Sequence, residues 1–269
     1  MNLLSRREIL AGVGAALAGA AARGALAAAA DPWLDRRSYG PFQCVAAFPL
    51  RTLDGFFHEL SRLELELRRT LGVPPASATV DIFLLADEAS HRRLLAELFP
   101  KVPYRRALYV QKGGRGAVYA YQHEELSIDL RHECTHALLH TNLPMVPLWL
   151  DEGLAEYFEM PEAERAFDHP HLAKLRWDLR LFRLLKVETL EAQSELADMG
   201  PAEYRFAWAW VHFMLHGPVA VHRALVSYLA DIRRGDPPGL LSERLRAASP
   251  ELDQRMIQHF KHWRHDSAS

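Results

Sequence analysis

His132-Glu133-Cys134-Thr135-His136 and Trp149-Leu150-Asp151-Glu152-Gly153-Leu154-Ala155-Glu156-Tyr157 are the two segments whose reading decides the fold. His132 and His136 stand four apart. An α-helix turns once in 3.6 residues, so both imidazoles share one helix face and can grip one metal ion. Glu133 adjoins the first histidine and is placed to act as general base on a water that the metal activates. Glu152 lies on a second helix, which opens after Pro144 and Pro147, and completes a His-His-Glu set. Three protein ligands with one position open make the catalytic kind of Zn2+ site. Asp151 competes for the third place but lies about 100° around the helix from Glu152. Glu156, one turn beyond Glu152, can accept the outer N–H of His132 or His136 and so fix that ring.

The plainer reading is a buried helix with two satisfied histidines, followed by a helix with a solvated acidic face. Two observations weigh against it. Leu126, Ile128, Leu130, Ala137, Leu138 and Leu139 surround the first segment, and Leu150, Leu154, Ala155, Tyr157 and Phe158 surround the second. A histidine pair buried beside a carboxylate is costly without a shared partner, and a cation is the economical one. His140, one turn past His136, reads as a structural or rim residue.

The chain has 269 residues, 49% of them hydrophobic and 25% charged, which is enough to bury a core without staples. Its formal net charge of −2 points neither to nucleic acid nor to an anionic membrane surface. Of its 14 histidines, His132 and His136 are read as the pair with ligand spacing. Residues 1–30 read as a twin-arginine export signal. Ser5-Arg6-Arg7-Glu8-Ile9-Leu10 is followed by a weakly apolar run from Ile9 to Ala22, then Arg23 and a small-x-small cleavage site with Ala27 or Ala30 at the cut. The run is too short and too rich in Ala and Gly to be a membrane span. The expectation is a periplasmic or secreted protein with no stable membrane insertion after signal removal. Residues 31–269 are expected to form the catalytic domain, of open oligomeric state. Cys44 and Cys134 are expected to be buried free thiols rather than a bridge.

Periodicity predicts strands over Phe42 to Leu50, Ala78 to Leu85, Ala107 to Gln111 and Ala117 to Gln122, the last two flanking a glycine-rich hairpin at Lys112-Gly113-Gly114-Arg115-Gly116. Helices are expected over Arg51 to Leu71, Asp87 to Phe99 and Glu124 to Thr141. Further helices are expected over Asp151 to Met160, His171 to Lys186, Ala202 to Leu215, Val219 to Asp231 and Pro250 to Trp263. This is an α+β order: a small mixed sheet, then a mostly helical half, with a metal cleft expected at the junction.

With both segments in view, the chain resembles the gluzincin metallopeptidases, and more narrowly the peptidase-MA-like domains of exported bacterial proteins. The resemblance runs loosely from Phe42 to the final helix and is tightest over the two metal segments. It implies a zincin-like fold, Zn2+ as cofactor, a peptide or protein substrate, Glu152 as third ligand and Glu156 as the acidic residue behind the ligands. It also implies a downstream helix supplying a Tyr or His that helps hold the oxyanion. Tyr204, in Tyr204-Arg205-Phe206-Ala207-Trp208-Ala209-Trp210-Val211-His212-Phe213, is the candidate, with His212 second. The alternative for Tyr204 is an aromatic packed against Trp208 one turn on. The Gly-x-Met-Glu-Asn segment of the aminopeptidase branch does not occur, which weakens an aminopeptidase reading. The strand Ala117 to Gln122 is a candidate sheet edge for an extended peptide, as an endopeptidase needs. The competing function is a non-catalytic peptide- or protein-binding domain that keeps the zincin fold. Retention of Glu133 favours the enzyme.

Overall fold

The computed structural model describes residues 33–264. The expected export signal, residues 1–30, lies outside the described residues. By internal contacts the chain divides into two compact units. The first comprises residues up to Leu65 and Pro75–Thr141, and the second Glu66–Pro74 and Asn142 onward.

The first unit is a five-stranded mixed sheet of order β1-β2-β3-β5-β4. Its strands are β1 (Asp35–Tyr39), β2 (Phe42–Ala46), β3 (Val80–Leu85), β4 (Ala107–Lys112) and β5 (Arg115–Tyr121). β2, β3 and β5 run parallel, and β1 and β4 add antiparallel to the two edges. Alternation sets the faces. Phe42, Cys44, Ala46, Val80, Ile82, Leu84, Val118 and Ala120 are buried, as a side-chain period of two requires when one face is covered. On the other face α2 (Glu88–Leu98) covers the sheet: its Leu95 packs with Leu108 and Val110, against Phe99, Val102 and Tyr119. Asp87 caps α2, accepting the Ser90 N–H at 2.8 Å. The β4–β5 turn is Gly113-Gly114, both at positive φ (58° and 79°), as a two-residue turn of this hand demands.

Two expectations about the sheet need correction. The strand expected from Ala117 to Gln122 is not an edge, because β5 is flanked by β3 and β4; the edge strands are β1 and β4. The strand expected from Phe42 to Leu50 ends at Ala46, since a 3-10 turn over Leu50–Leu53 follows Pro49 and leads into α1 (Asp54–Leu71). β1 was not expected at all. Its sequence, DRRSY, is polar because it is an edge strand, held by Arg37 and Tyr39 on Asp54 and by Asp35 on the Leu50 N–H.

The second unit is helical. In order it holds α4 (Leu148–Phe158), α5 (His171–Arg180), α6 (Val187–Glu191), α7 (Pro201–His216), α8 (Val219–Arg234), α9 (Leu241–Ala248) and α10 (Leu252–His262). α4 and α7 form its central pair. A Cβ on Gly153 would stand 2.6 Å from the Ala207 carbonyl oxygen, so this glycine lets two helix backbones touch. Trp149, Phe158, Trp208, Trp210, Phe213 and Phe260 fill the surrounding core. The helix expected from His171 to Lys186 stops at Arg180, and Phe182 then adopts φ +57°. α9 was also not expected.

Candidate metal centre

The remaining helix of the first unit, α3 (Leu126–His140), carries His132, Glu133 and His136 and packs on β3, β4 and β5. Leu130, Cys134 and Ala137 share one stripe of the helix and are buried. The two ring Nε2 atoms of His132 and His136 face each other at 3.2 Å, with the rings edge to face. Two lone pairs at that distance repel unless a proton or a cation lies between them. The edge of a tetrahedron with Zn–N bonds of about 2.0–2.1 Å is about 3.3 Å, so the pair has the spacing of two ligands on one such ion. His136 is buried and His132 half-buried.

Glu133 is also buried, and its Oε2 accepts the Tyr109 N–H at 2.7 Å. That N–H is available because Tyr109 and Val118 form a non-hydrogen-bonded pair in the β4–β5 ladder, counting from the closing pair Lys112–Arg115. The open edge of β4 thus orients the carboxylate. His140 is buried and stacks on the Tyr109 ring, with centroids 6.0 Å apart. Cys44 and Cys134 are free and buried. Burial pushes the Cys44 thiol up to about 12, and burial followed by the nearness of Cys44 raises Cys134 well above the ordinary range. Both stay protonated thiols.

On α4, Asp151 and Glu152 are buried. Glu156 is half-buried, and its Oε2 lies 2.8 Å from His171 Nε2. The Glu156 carbonyl receives His169 Nε2 at 3.0 Å, and the His171 N–H donates to His169 Nδ1 at 3.2 Å. Burial, followed by the nearby His171, lowers His169 to about 4.

His132, His136 and Glu152 each offer one ligand atom, and these atoms all lie within 4.8 Å of one another. Asp151, the competing ligand, is not in that group. A second set within the same limit comprises His132, Glu156 and Glu159. Glu159 was missed from the sequence, although Glu152, Glu156 and Glu159 stand at i, i+4 and i+7, one stripe of α4. His171 was missed because nothing in its spacing ties it to Glu156.

Tyr204 occupies the first turn of α7, half-buried, with its N–H on the Gly200 carbonyl. The second oxyanion candidate, His212, is corrected. It is fully buried, its Nε2 is 2.9 Å from the Ala166 carbonyl oxygen and its Nδ1 is 3.0 Å from His259 Nε2. With both nitrogens engaged it is a core histidine.

The chain matches no protein-family model and no curated protein sequence.

Proposed function

We propose that the chain is a zinc-dependent peptidase of gluzincin type. The convergence of His132, His136 and Glu152 within ligand distance carries this reading. The donor set of two imidazoles and one carboxylate suits Zn2+, and the 3.2 Å separation of the ring nitrogens suits its radius. Zinc, when bound, supplies a Lewis acid that polarises a carbonyl and makes water acidic near neutral pH. Glu133 takes the proton of the attacking water and delivers it to the leaving amine. The Tyr109 N–H holds that carboxylate in one rotamer and withdraws one of its oxygens from competing partners. Tyr204 is the proposed donor to the oxyanion, and Glu156 the carboxylate that orients a ligand histidine. The proposed substrate is a peptide or protein chain, met in the periplasm or outside the cell after twin-arginine export.

The Tyr109 bond also favours a second reading. Glu133 can be a tether between α3 and the edge of β4, in a binding domain without turnover. One experiment separates the two. Glu133→Gln keeps a side chain of the same shape and is expected to retain one equivalent of zinc while peptide hydrolysis falls by about a hundredfold or more. Unchanged hydrolysis excludes Glu133 as base; no hydrolysis by the zinc-loaded parent of any unfolded protein offered leaves the binding domain.

A further inference from the structure

α5 and the turn after it present an exposed apolar group that the proposed peptidase chemistry does not use. Phe182 is 94% exposed, Trp177 54% and Leu181 42%. Trp177 and Leu181 stand four apart, so they share one face of the helix end, and the Leu181 N–H bonds the Trp177 carbonyl. Phe182 follows at φ +57°, the sole residue other than glycine at positive φ among the described residues. A bulky side chain in the left-handed region is strained. Here the strain gains no core contact, because the phenyl ring stands in solvent.

The charges along this stretch of chain are mostly positive. From His171 to Lys186 the chain carries Lys174, Arg176, Arg180, Arg183 and Lys186 against the single acid Asp178. Asp178 is buried and already paired with Arg205 at 2.6 Å and Lys174 at 3.3 Å. Arg176 turns inward to the Phe260 carbonyl. Arg180, Arg183 and Lys186 are exposed; Lys186 lies within electrostatic reach of Glu188, and no ion pair joins Arg180 or Arg183 to a carboxylate among the described residues. Burial first, and then the neighbouring Arg264 and Arg180, weaken Arg176's hold on its proton. The whole-chain charge of −2 conceals it.

We propose that Trp177, Leu181 and Phe182, ringed by Arg180, Arg183 and Lys186, form a peripheral attachment site for an anionic phospholipid bilayer. Tryptophan and phenylalanine beside arginine and lysine are the residues that settle at a membrane interface. The cations meet the anionic headgroups, each contributing about fivefold in affinity. The phenyl ring sits on the outside of a turn, where a fluid bilayer receives it without a matching pocket; a folded acidic partner would have to supply one. The attachment is superficial, since no helix among the described residues is long and apolar enough to cross a membrane.

The test is sedimentation of the full chain with vesicles of equimolar phosphatidylcholine and phosphatidylglycerol, set against vesicles of phosphatidylcholine alone. The parent is expected to bind the anionic vesicles and to release as salt is raised. Phe182→Gly removes the ring and relieves the backbone, so it folds at least as well as the parent, checked by its unfolding midpoint. It is expected to bind about tenfold more weakly, and Arg180→Glu with Arg183→Glu more weakly still. Any affinity of residues 1–30 for lipid is common to parent and variants. Equal binding to both vesicle types, or Phe182→Gly binding like the parent, overturns the proposal. Capture on immobilised polyglutamate that outlasts competition by anionic vesicles also overturns it and makes the patch a surface for an acidic protein.

Discussion

Three histidine pairs in this chain stand four apart, and two of them, on different helices, meet opposite fates. His132 and His136 on α3 stand four apart, and so do His212 and His216 on α7. The first pair turns Nε2 toward Nε2, beside the carboxylate of Glu152. The second pair is dispersed among protein partners. His212 bonds the Ala166 carbonyl and His259, His216 Nε2 lies 2.6 Å from the Tyr157 hydroxyl, and Trp208, Phe260 and Trp263 crowd around them. No carboxylate approaches, and neither residue appears in a ligand group among the described residues. A four-residue interval therefore makes a ligand pair possible; ring nitrogens turned toward each other beside a buried carboxylate make it a candidate site. The reading that only His132 and His136 have ligand spacing was wrong on the count and right on the pair.

The largest effect should fall on metal. Replacing His136 by Ala, or Glu152 by Gln, is expected to weaken zinc binding on the order of a thousandfold, since each removes one of the three proposed ligands. His216→Gln should leave zinc content at the parent's level. Metal analysis after dialysis checks both, and a loss from His216→Gln equal to that from His136→Ala would erase the contrast between the pairs.

Acid should act on the second pair. Burial holds His216 and His259 at about 4, below the ordinary histidine value near 6.5, and also drives His212 well below that ordinary value. The folded form disfavours the proton. The stability these groups contribute is therefore complete above about pH 6.5 and is lost as pH falls toward 4, by about 1.4 kcal/mol per pH unit for each proton taken up on unfolding. Denaturant unfolding at pH 7 and pH 4.5 should show the decline, and His216→Gln and His259→Gln should flatten it. Equal stability at the two pH values would mean that these rings titrate freely when folded.

The smallest effect concerns the helix that carries Glu152. Gly153→Ala forces a methyl against the Ala207 carbonyl oxygen and is expected to cost about 1–3 kcal/mol. If α4 shifts to relieve that contact, zinc affinity falls with stability. Unchanged unfolding would show that the α4–α7 packing is looser than 2.6 Å implies.

The sheet was legible where burial writes alternation. β2, β3, β4 and β5 were each placed to within a few residues because their inward positions are apolar. β1 was illegible, since its edge is held by Asp54 and by ladder bonds rather than by hydrophobic side chains. α9 follows Pro237-Pro238-Gly239 and is only eight residues long, too short for periodicity to announce it. The end of α5 was hidden for another reason: the left-handed turn falls on Phe182, where no glycine or asparagine signals it. At the site, His132, His136 and Glu152 were legible from spacing. The Glu133–Tyr109 bond was not, because it depends on which strand lies at the edge and on which of its N–H groups the ladder leaves open.

The two cysteines give the first unit a built-in clock. Cys44 on β2 and Cys134 on α3 are enclosed where helix meets sheet, both protonated and both out of reach of solvent. A thiol reagent can modify them only in the moments when α3 lifts from the strands, so labelling speed measures how often that happens. Because Cys134 stands between Glu133 and His136 on the same turn, the reagent would time the opening of the very layer that holds the histidine pair.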